Sequence, residues 1–358
     1  MNQLVPITFS SGLQIYKYQL IRKIGQGSFG EVWLANDAAL QREFAIKLLK
    51  PGFTVDERLR EGRIGNLVEH NNLVHVHQAD VAHHQSAEIV ILAMDYHASG
   101  SVEKLANPAG YLALPLVLQI ARDILQGLDH LHAQNFFHND IKPGNILVGG
   151  QQQAMLTDYG ITGISNNGAP ATAPNTYRLH GAPEVRATGN VGVSSDIFQV
   201  GMTLARLLLG LTHLRSILNS VGPASYESQI DTGRLLQAAD FPCHIPAPLR
   251  RIILKAVHPD PNQRYASSLE MRRAVEKLSF PGFWTIDATG AELGEDRTHQ
   301  YRYSAVPTHA GKFDVTCERL RKASGISQRV NKYCAKSLTR SEADKLLNNF
   351  KKFVVLGK

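Results

Sequence analysis

The 358-residue sequence predicts an α+β protein with a strand-rich first lobe, a helix-rich second lobe and a small, basic α+β extension at its C-terminal end. Two periodicities carry the first part of that reading. Up to about residue 95 the apolar residues alternate or cluster in short β-branched and aromatic runs, and from Leu114 they recur at spacings of three and four. Charge carries the second part. Residues 1–295 hold 24 Lys+Arg against 26 Asp+Glu, and residues 296–358 hold 14 against 5, so the tail supplies the formal charge of +7. The chain is longer than one typical domain, and its 43% hydrophobic content is ample for a buried core.

Taken in order, "YQLIRKIGQGSFGEVWLAN" and "REFAIKLLK" read as antiparallel strands broken by Gly and Asn turns. "VDERLREGRIGNLVEH" has helical spacing, and "EIVILAMDY" returns to a strand. "LPLVLQIARDILQGLDHLHAQ" sets Leu116, Ile120, Ile124, Leu128 and Leu131 on one helical face. "SNNGAPATAPNTY" (165–177) is rich in Gly, Ala, Pro and Asn, which predicts a long mobile loop. In the tail, "FWTIDATG" and "HQYRYSAVP" read as strands, and "DVTCERLRKASG" as a helix closed by Gly325. "LTRSEADKLLNNFKKFV" reads as a last helix with Thr339 and Glu342 in capping-box spacing. No internal repeat or low-complexity tract is visible.

Cys243, Cys317 and Cys334 are odd in number and lack CxxC spacing, which points to a reducing, cytoplasmic compartment. The start, "MNQLVPITFSSG", has no charged region followed by an apolar one, so no signal peptide is expected. The most apolar run, "IFQVGMTLARLLLGL" (197–211), is interrupted by Gln199, Thr203 and Arg206. It falls below the roughly 18 apolar residues of a membrane span, so it reads as a buried core helix and no membrane partner is expected.

Chemistry concentrates in four places. Gly25, Gly27 and Gly30 of "GQGSFGEV" let backbone N–H groups approach phosphates without a Cβ in the way. GxGxxG alone is weak. A dinucleotide-binding turn needs a helix after it, whereas Glu31, Val32 and Trp33 continue as a strand, and a plain tight hairpin remains the bland alternative. Lys47 lies on the following strand, and the helix after it offers Glu57 and Glu61 as carboxylate partners. Counting back from "HNNLVHV" favours Glu61.

"HNDIKPGNILV" then brings Asp140, Lys142 and Asn145 onto one loop, and "LTDYG" brings Asp158. Asn145 and Asp158 are oxygen ligands suited to Mg²⁺, with Mn²⁺ as an alternative, shared with phosphate oxygens. Asp140 is placed to accept a hydroxyl proton, and Lys142 to neutralise a γ-phosphate as charge shifts. Asp, Asn, Gly and Pro are also ordinary turn residues, but the ordered set makes that reading remote.

With these motifs in this order, residues from about 15 to 280 resemble the eukaryotic-like Ser/Thr protein kinases, including their soluble prokaryotic members. The resemblance implies the bilobal protein-kinase fold: an N-lobe over 15–95, a C-lobe over 96–280, a short extension before them (1–14) and an unassigned extension after them (281–358). It implies ATP in the cleft beneath Ile24, Gly25, Gly27, Ser28 and Gly30. Adenine would lie between Val32, Ala45 and Leu147, with Met94 as gatekeeper and backbone contacts from Asp95 and His97. Glu184 of "GAPE" would pair with Arg264, and Asp196 would brace the catalytic-loop backbone.

Three departures stand out. Tyr159 replaces the usual Phe. "NTYRLHGAPE" does not align with the usual substrate-docking threonine, leaving Thr176 as a poor match. Asn139 replaces the arginine that in many members pairs with an activation-loop phosphate, which implies activity without loop phosphorylation at Thr162, Ser165, Thr172 or Thr176. Small-molecule kinases also carry "HND" followed by an asparagine, but they generally lack the Lys142–Pro143 pair and the "APE" segment. An inactive ATP-binding scaffold would have lost a catalytic group, yet Lys47, Glu61, Asp140, Asn145 and Asp158 are all present. Tyr-specific kinases normally lack Lys142, so Ser/Thr hydroxyls of protein substrates are the expected acceptors.

In the tail, Arg319, Arg321, Lys322, Arg329, Lys332, Lys336 and Arg340 suit an acidic protein surface or nucleic acid, against a solvated basic face packed on the second lobe. His70, His75, His77, His83 and His84 crowd one region. With no converging further ligand they read as ordinary strand and loop histidines rather than a zinc site.

Overall fold

The computed structural model describes residues 7–357 other than 28–29, 52–53, 86, 160–162, 165–170, 173–176, 288 and 309–310. For 57, 60, 163–164 and 171–172 it describes the backbone alone. Ser28, Thr162, Ser165 and Thr176, and the side chains of Glu57 and Thr172, therefore lie outside the described residues, as does most of the expected 165–177 loop.

The first lobe is one antiparallel sheet. Its strands are β1 (Gln14–Ile15), β2 (Tyr18–Gly27), β3 (Gly30–Asp37), β4 (Arg42–Leu49), β5 (Val76–His84) and β6 (Ala87–Asp95), in the order β1-β2-β3-β4-β6-β5. Helix α1 (Val55–Leu67) packs on β5 and β6. Strand alternation sorts the side chains to two faces. Phe44, Ile46, Leu48, Ile89, Ile91 and Ala93 join one apolar cluster with Tyr18 and Trp33, partly covered by Ile7, Phe9 and Leu13. Ala45, Leu49, Val90, Leu92 and Met94 join another, on the side of α1 and the second lobe. Lys47 shares the parity of Ala45 and Leu49, so β4 delivers its ammonium to the same side. Helix α1 approaches closely because Gly62 and Gly65 face the sheet: a Cβ on either would stand 2.6 Å from Ala79 Cβ or 2.2 Å from Val76 Cγ2.

The second lobe is mostly helical. It begins with α2 (Leu114–Ala133), β7 (Phe136–Phe137), β8 (Ile146–Val148), β9 (Ala154–Leu156), β10 (Gly163–Ile164), β11 (Ala171–Thr172), α3 (Pro183–Thr188) and β12 (Asn190–Val191). It continues with α4 (Val193–Leu209), α5 (His213–Val221), α6 (Pro223–Asp231), α7 (Ala247–Ala256) and α8 (Ser268–Glu276). Ile120, Ile124, Leu128 and Leu131 of α2 are buried, as their spacing requires, while Leu116 is half-buried. The stretch expected to be loop contains β11, which pairs with β12. Among the described residues no single helix is long and apolar enough to cross a membrane.

The tail forms a second sheet of β13 (Gly282–Ile286), β14 (Glu292–Asp296), β15 (His299–Pro307), β16 (Phe313–Arg321), β17 (Ser327–Arg329) and β18 (Ala335–Leu338), closed by helix α9 (Arg340–Leu356). The helix expected over "DVTCERLRKASG" is wrong. Those residues form β16, which pairs with β15, β17 and β18. Their apolar period is two: Val315 and Cys317 point inward, and Gly325, at φ +66°, serves the turn after the strand rather than a helix end. Helix α9 forms as expected, with the Thr339/Glu342 capping box. Trp284, Tyr301 and Phe350 belong to the same continuous apolar core as the second lobe. Trp284 Nε1 donates to Lys351 O at 3.0 Å, and Asn107 Nδ2 to Thr285 Oγ1 at 3.4 Å.

Candidate active site

Lys47 Nζ donates to both carboxylate oxygens of Glu61 at 2.7 Å and to Asp158 Oδ1 at 2.7 Å. Of the two glutamates weighed on α1, Glu61 therefore meets the lysine. Lys47 and Glu61 are 6% and 3% exposed, so this pair is held away from water. Burial opposes the ammonium, but two carboxylates outweigh it and hold the Lys47 pKa above its ordinary value. Burial pushes Glu61 up to about 7, aided by the second carboxylate and opposed by Lys47. Burial also pulls on Asp158, yet Lys47 prevails and its carboxyl lies below the usual range.

The loop before β8 sets a second group opposite the first. Asp140 Oδ2 accepts from Lys142 Nζ at 2.7 Å and from Asn145 Nδ2 at 2.8 Å. Its other oxygen, Oδ1, is buried and has no partner among the described residues. Burial raises the Asp140 pKa, with Lys142 opposing. A carboxylate with one oxygen clamped and the other bare is oriented for proton acceptance.

The glycine hairpin lies between β2 and β3. A Cβ on Gly30 would stand 2.0 Å from Leu48 O, so the hairpin itself demands glycine there. A Cβ on Gly27 would meet nothing within 4 Å among the described residues, and one on Gly25 would meet only Val32, at 3.5 Å, so among these residues folding does not require either glycine. Ile24, Val32, Ala45, Met94 and Leu147 gather in one apolar cluster with Met155, which the sequence reading missed. Asp95 directs its side chain to Arg42 and His77, at 2.6 and 2.8 Å. The His97 carbonyl accepts from Gly100 N at 3.0 Å.

Residues 18–276 match the protein kinase domain family. The chain belongs to that family. It is 28% identical to the serine/threonine-protein kinase PrkC of Bacillus subtilis over 273 residues, 73% of this chain and 40% of PrkC. It is 27% identical to the serine/threonine-protein kinase PknJ of Mycobacterium tuberculosis over 288 residues, 76% of this chain and 47% of PknJ. It is 29% identical to PknD of the same species over 283 residues, 74% of this chain and 40% of PknD. The chain thus spans less than half the length of these curated relatives. Protein kinases use ATP, a divalent metal ion and protein substrates, and the strand-rich and helical lobes described above are those of the kinase fold.

In this kinase domain the loop over 138–145 hangs from the core helix α4. Asp196 Oδ2 accepts from His138 N at 2.9 Å and its Oδ1 from Asn139 N at 2.8 Å. Gln199 brackets the same loop: its Oε1 accepts from Ile141 N at 2.8 Å, and its Nε2 donates to Asn139 O at 2.9 Å. Thr203 Oγ1 donates to Ile141 O at 3.1 Å, and Arg206 donates to Leu211 O at 2.9 Å. The three residues that interrupt the apolar run of 197–211 are therefore the polar groups that α4 spends on its surroundings, two of them on the 138–145 loop. A polar residue in a wholly buried helix needs a partner, and that signal was available in the sequence.

His138 joins the loop to the segment carrying Asp158. Its Nδ1 accepts from Asp140 N at 3.3 Å, which assigns the proton to Nε2, and Nε2 lies 3.1 Å from Thr157 O. Tyr159, in place of Phe, is buried with its hydroxyl donating to Val74 O at 3.1 Å, so the added oxygen is satisfied. His132 Nε2 lies 2.8 Å from Asp196 Oδ2, and Ser268 Oγ lies 2.7 Å from His132 Nδ1. This buried Ser-His-Asp chain ties α8 to the loop as a brace, because Asp196 spends its oxygens on loop amides.

Among the described residues no group of three or more His, Cys, Asp or Glu converges as a metal site, the histidines of 70–84 included. Asn145 turns its Nδ2 to Asp140, and Asp158 commits only Oδ1 to Lys47. Among the described residues one amide oxygen and one carboxylate oxygen remain, both hard donors. That set fits a Mg²⁺-like ion that completes its shell with water and phosphate oxygens.

Proposed function

We propose that this chain is a Ser/Thr protein kinase that transfers the γ-phosphoryl group of ATP to protein hydroxyls, with Mg²⁺ held by Asn145 and Asp158. The observation that carries the proposal is the buried Oδ1 of Asp140, which has no partner among the described residues while its other oxygen is clamped by Lys142 and Asn145. The acceptor hydroxyl passes its proton to Oδ1 as its oxygen bonds to the γ-phosphorus and the bond to the departing β-phosphate oxygen breaks. Lys142 then neutralises charge on the transferred group. Lys47, held by Glu61, orients the α- and β-phosphates, and the Gly25–Gly27 backbone covers them. When bound, Mg²⁺ would supply positive charge to the phosphate oxygens. The names of the bacterial relatives support Ser/Thr acceptors.

The wild type with labelled ATP and a generic basic protein should incorporate label, and Asp140→Asn should not. Equal labelling by the two would exclude the mechanism.

Activity is further proposed not to wait for an activation-loop phosphate. Asn139 is uncharged and fully buried at φ +58°, a left-handed conformation asparagine tolerates, with Oδ1 3.4 Å from Gln199 Nε2. It offers no cation for a phosphate to order. Phosphatase treatment should leave activity intact, and abolition of activity would sink this part.

For residues 281–358 the shared core with the second lobe supports a role as a buttress rather than a free docking module. Ending the chain after Leu278 should lower thermal stability. Unchanged stability with selective loss of the natural substrate would favour docking to an acidic partner instead. Three free cysteines support a reducing, cytoplasmic compartment.

A further inference from the structure

Tyr177 stands just ahead of "GAPE" and sits against Lys142. The Lys142 ammonium lies 4.7 Å from the centroid of the Tyr177 ring while donating to Asp140 Oδ2 at 2.7 Å. The ring is itself held from two sides. Arg215 NH2 donates to its hydroxyl at 3.4 Å, and His180 meets it edge-on with centroids 5.3 Å apart. His180 is anchored to the catalytic loop, with Nδ1 2.7 Å from Ile141 O. Helix α5 and the catalytic loop thus fix the ring that fixes the lysine.

We propose that Tyr177 is a positioning residue for phosphoryl transfer, holding the Lys142 ammonium against its ring face so that the cation stands ready beside Asp140. This rests on the kinase reading above and assigns a role to a residue that the motif comparison left unplaced.

The chemistry favours a ring over a hydroxyl or carboxylate at this position. An aromatic face attracts an ammonium through its quadrupole without forming a full ion pair. A second carboxylate would compete with the incoming phosphate for the same charge, whereas the ring orients the lysine and leaves its N–H donors free to turn to a phosphate oxygen. An unsupported lysine is a flexible four-carbon stem with three rotatable donors. Half-burial of the Tyr177 ring puts the pair in a medium where the attraction exceeds that of a solvated contact.

The test combines conservative rescue, a double-mutant cycle and a readout that needs no activity. Tyr177→Phe keeps the ring and should retain kcat within about twofold, whereas Tyr177→Leu should lose about tenfold in kcat with the KM for ATP unchanged. In a Lys142→Met background Tyr177→Leu should cost nothing further. Equal damage by Phe and Leu, or full additivity with Lys142→Met, would overturn the proposal. Independently, the Lys142 Cε protons, followed by NMR in selectively labelled protein, should show an upfield ring-current shift in wild type and Tyr177→Phe that vanishes in Tyr177→Leu. An absent shift in wild type would reject the contact whatever the activity. A clear shift in a wild type without Asp140-dependent transfer would instead sink the kinase reading alone.

Discussion

Arg264 grips Glu184 with both terminal guanidinium nitrogens, NH1 to Oε1 at 2.7 Å and NH2 to Oε2 at 2.9 Å. The same guanidinium donates to the carbonyls of His258, Pro259 and Ser194, at 2.7, 3.0 and 3.0 Å. It thereby joins the end of the "GAPE" segment to the start of α4 and to the turn before α8. The Arg264 side chain is fully buried, so removing it strands a carboxylate and three carbonyls. Arg264→Ala should cost about 3 kcal/mol in chemical denaturation. Arg264→Lys should recover only part of that, because an ammonium cannot span both oxygens.

Asp140 must be ionised to accept a proton, and burial raises its pKa above the ordinary aspartate value of 3.8. The acid limb of the kcat/KM profile should therefore lie above the usual carboxylate range, with activity lost as pH falls through it. Lys142 pulls the same pKa down. Lys142→Met should move the acid limb to higher pH while lowering kcat. A limb that stays in place or moves down would contradict the assignment of Asp140 as the base.

His180 is buried as a neutral ring. Burial, with Arg206 close by, lowers its pKa from 6.5 to about 3. The folded pKa is depressed, so below pH 6.5 the unfolded chain takes up a proton that the folded protein refuses. Stability from this group is complete above pH 6.5 and falls toward pH 3, at up to about 1.4 kcal/mol per pH unit. His180→Gln should flatten that slope in denaturation curves taken between pH 6.5 and 4.

The glycine hairpin separates folding from binding. Gly30→Ala meets Leu48 O and should lower the melting temperature, by about 1–3 kcal/mol in stability terms. Gly27→Ala meets nothing within 4 Å among the described residues and should leave the melting temperature unchanged while raising the KM for ATP severalfold. Equal melting temperatures for the two variants would show that the hairpin relaxes around the added methyl.

Much of the site was legible because a phosphoryl-transfer centre needs particular groups in a particular chain order, and "GQGSFGEV", "FAIK", "HNDIKPGN" and "DYG" preserve that order. What holds those residues in place was legible only in part. Gln199 in an apolar run signalled that it has a partner but not which one, and Met155 looked like an ordinary strand residue. Gln199 meets Asn139 and Ile141 from 60 and 58 residues away, and Met155 joins Ala45, Leu92 and Met94 of the first-lobe sheet.

By itself, the sequence determined the succession of strand-rich and helix-rich lobes, the two faces of β4, the cap of α9 and the identity of the chemical groups. These follow from local periodicity and local hydrogen bonding, which a linear reading contains. Only the tertiary structure decided that Glu61 meets Lys47, that Asp140 keeps one oxygen without a partner among the described residues, that Tyr177 faces Lys142 and that residues 313–321 are a strand. In that last stretch Phe313, Val315 and Cys317 alternate, but Leu320 breaks the alternation and the run is short, so the pattern alone does not separate a helix from a strand. Pairing with β15, β17 and β18 made the choice, because backbone hydrogen bonds to three neighbours outweigh the weak preference of a short amphipathic segment.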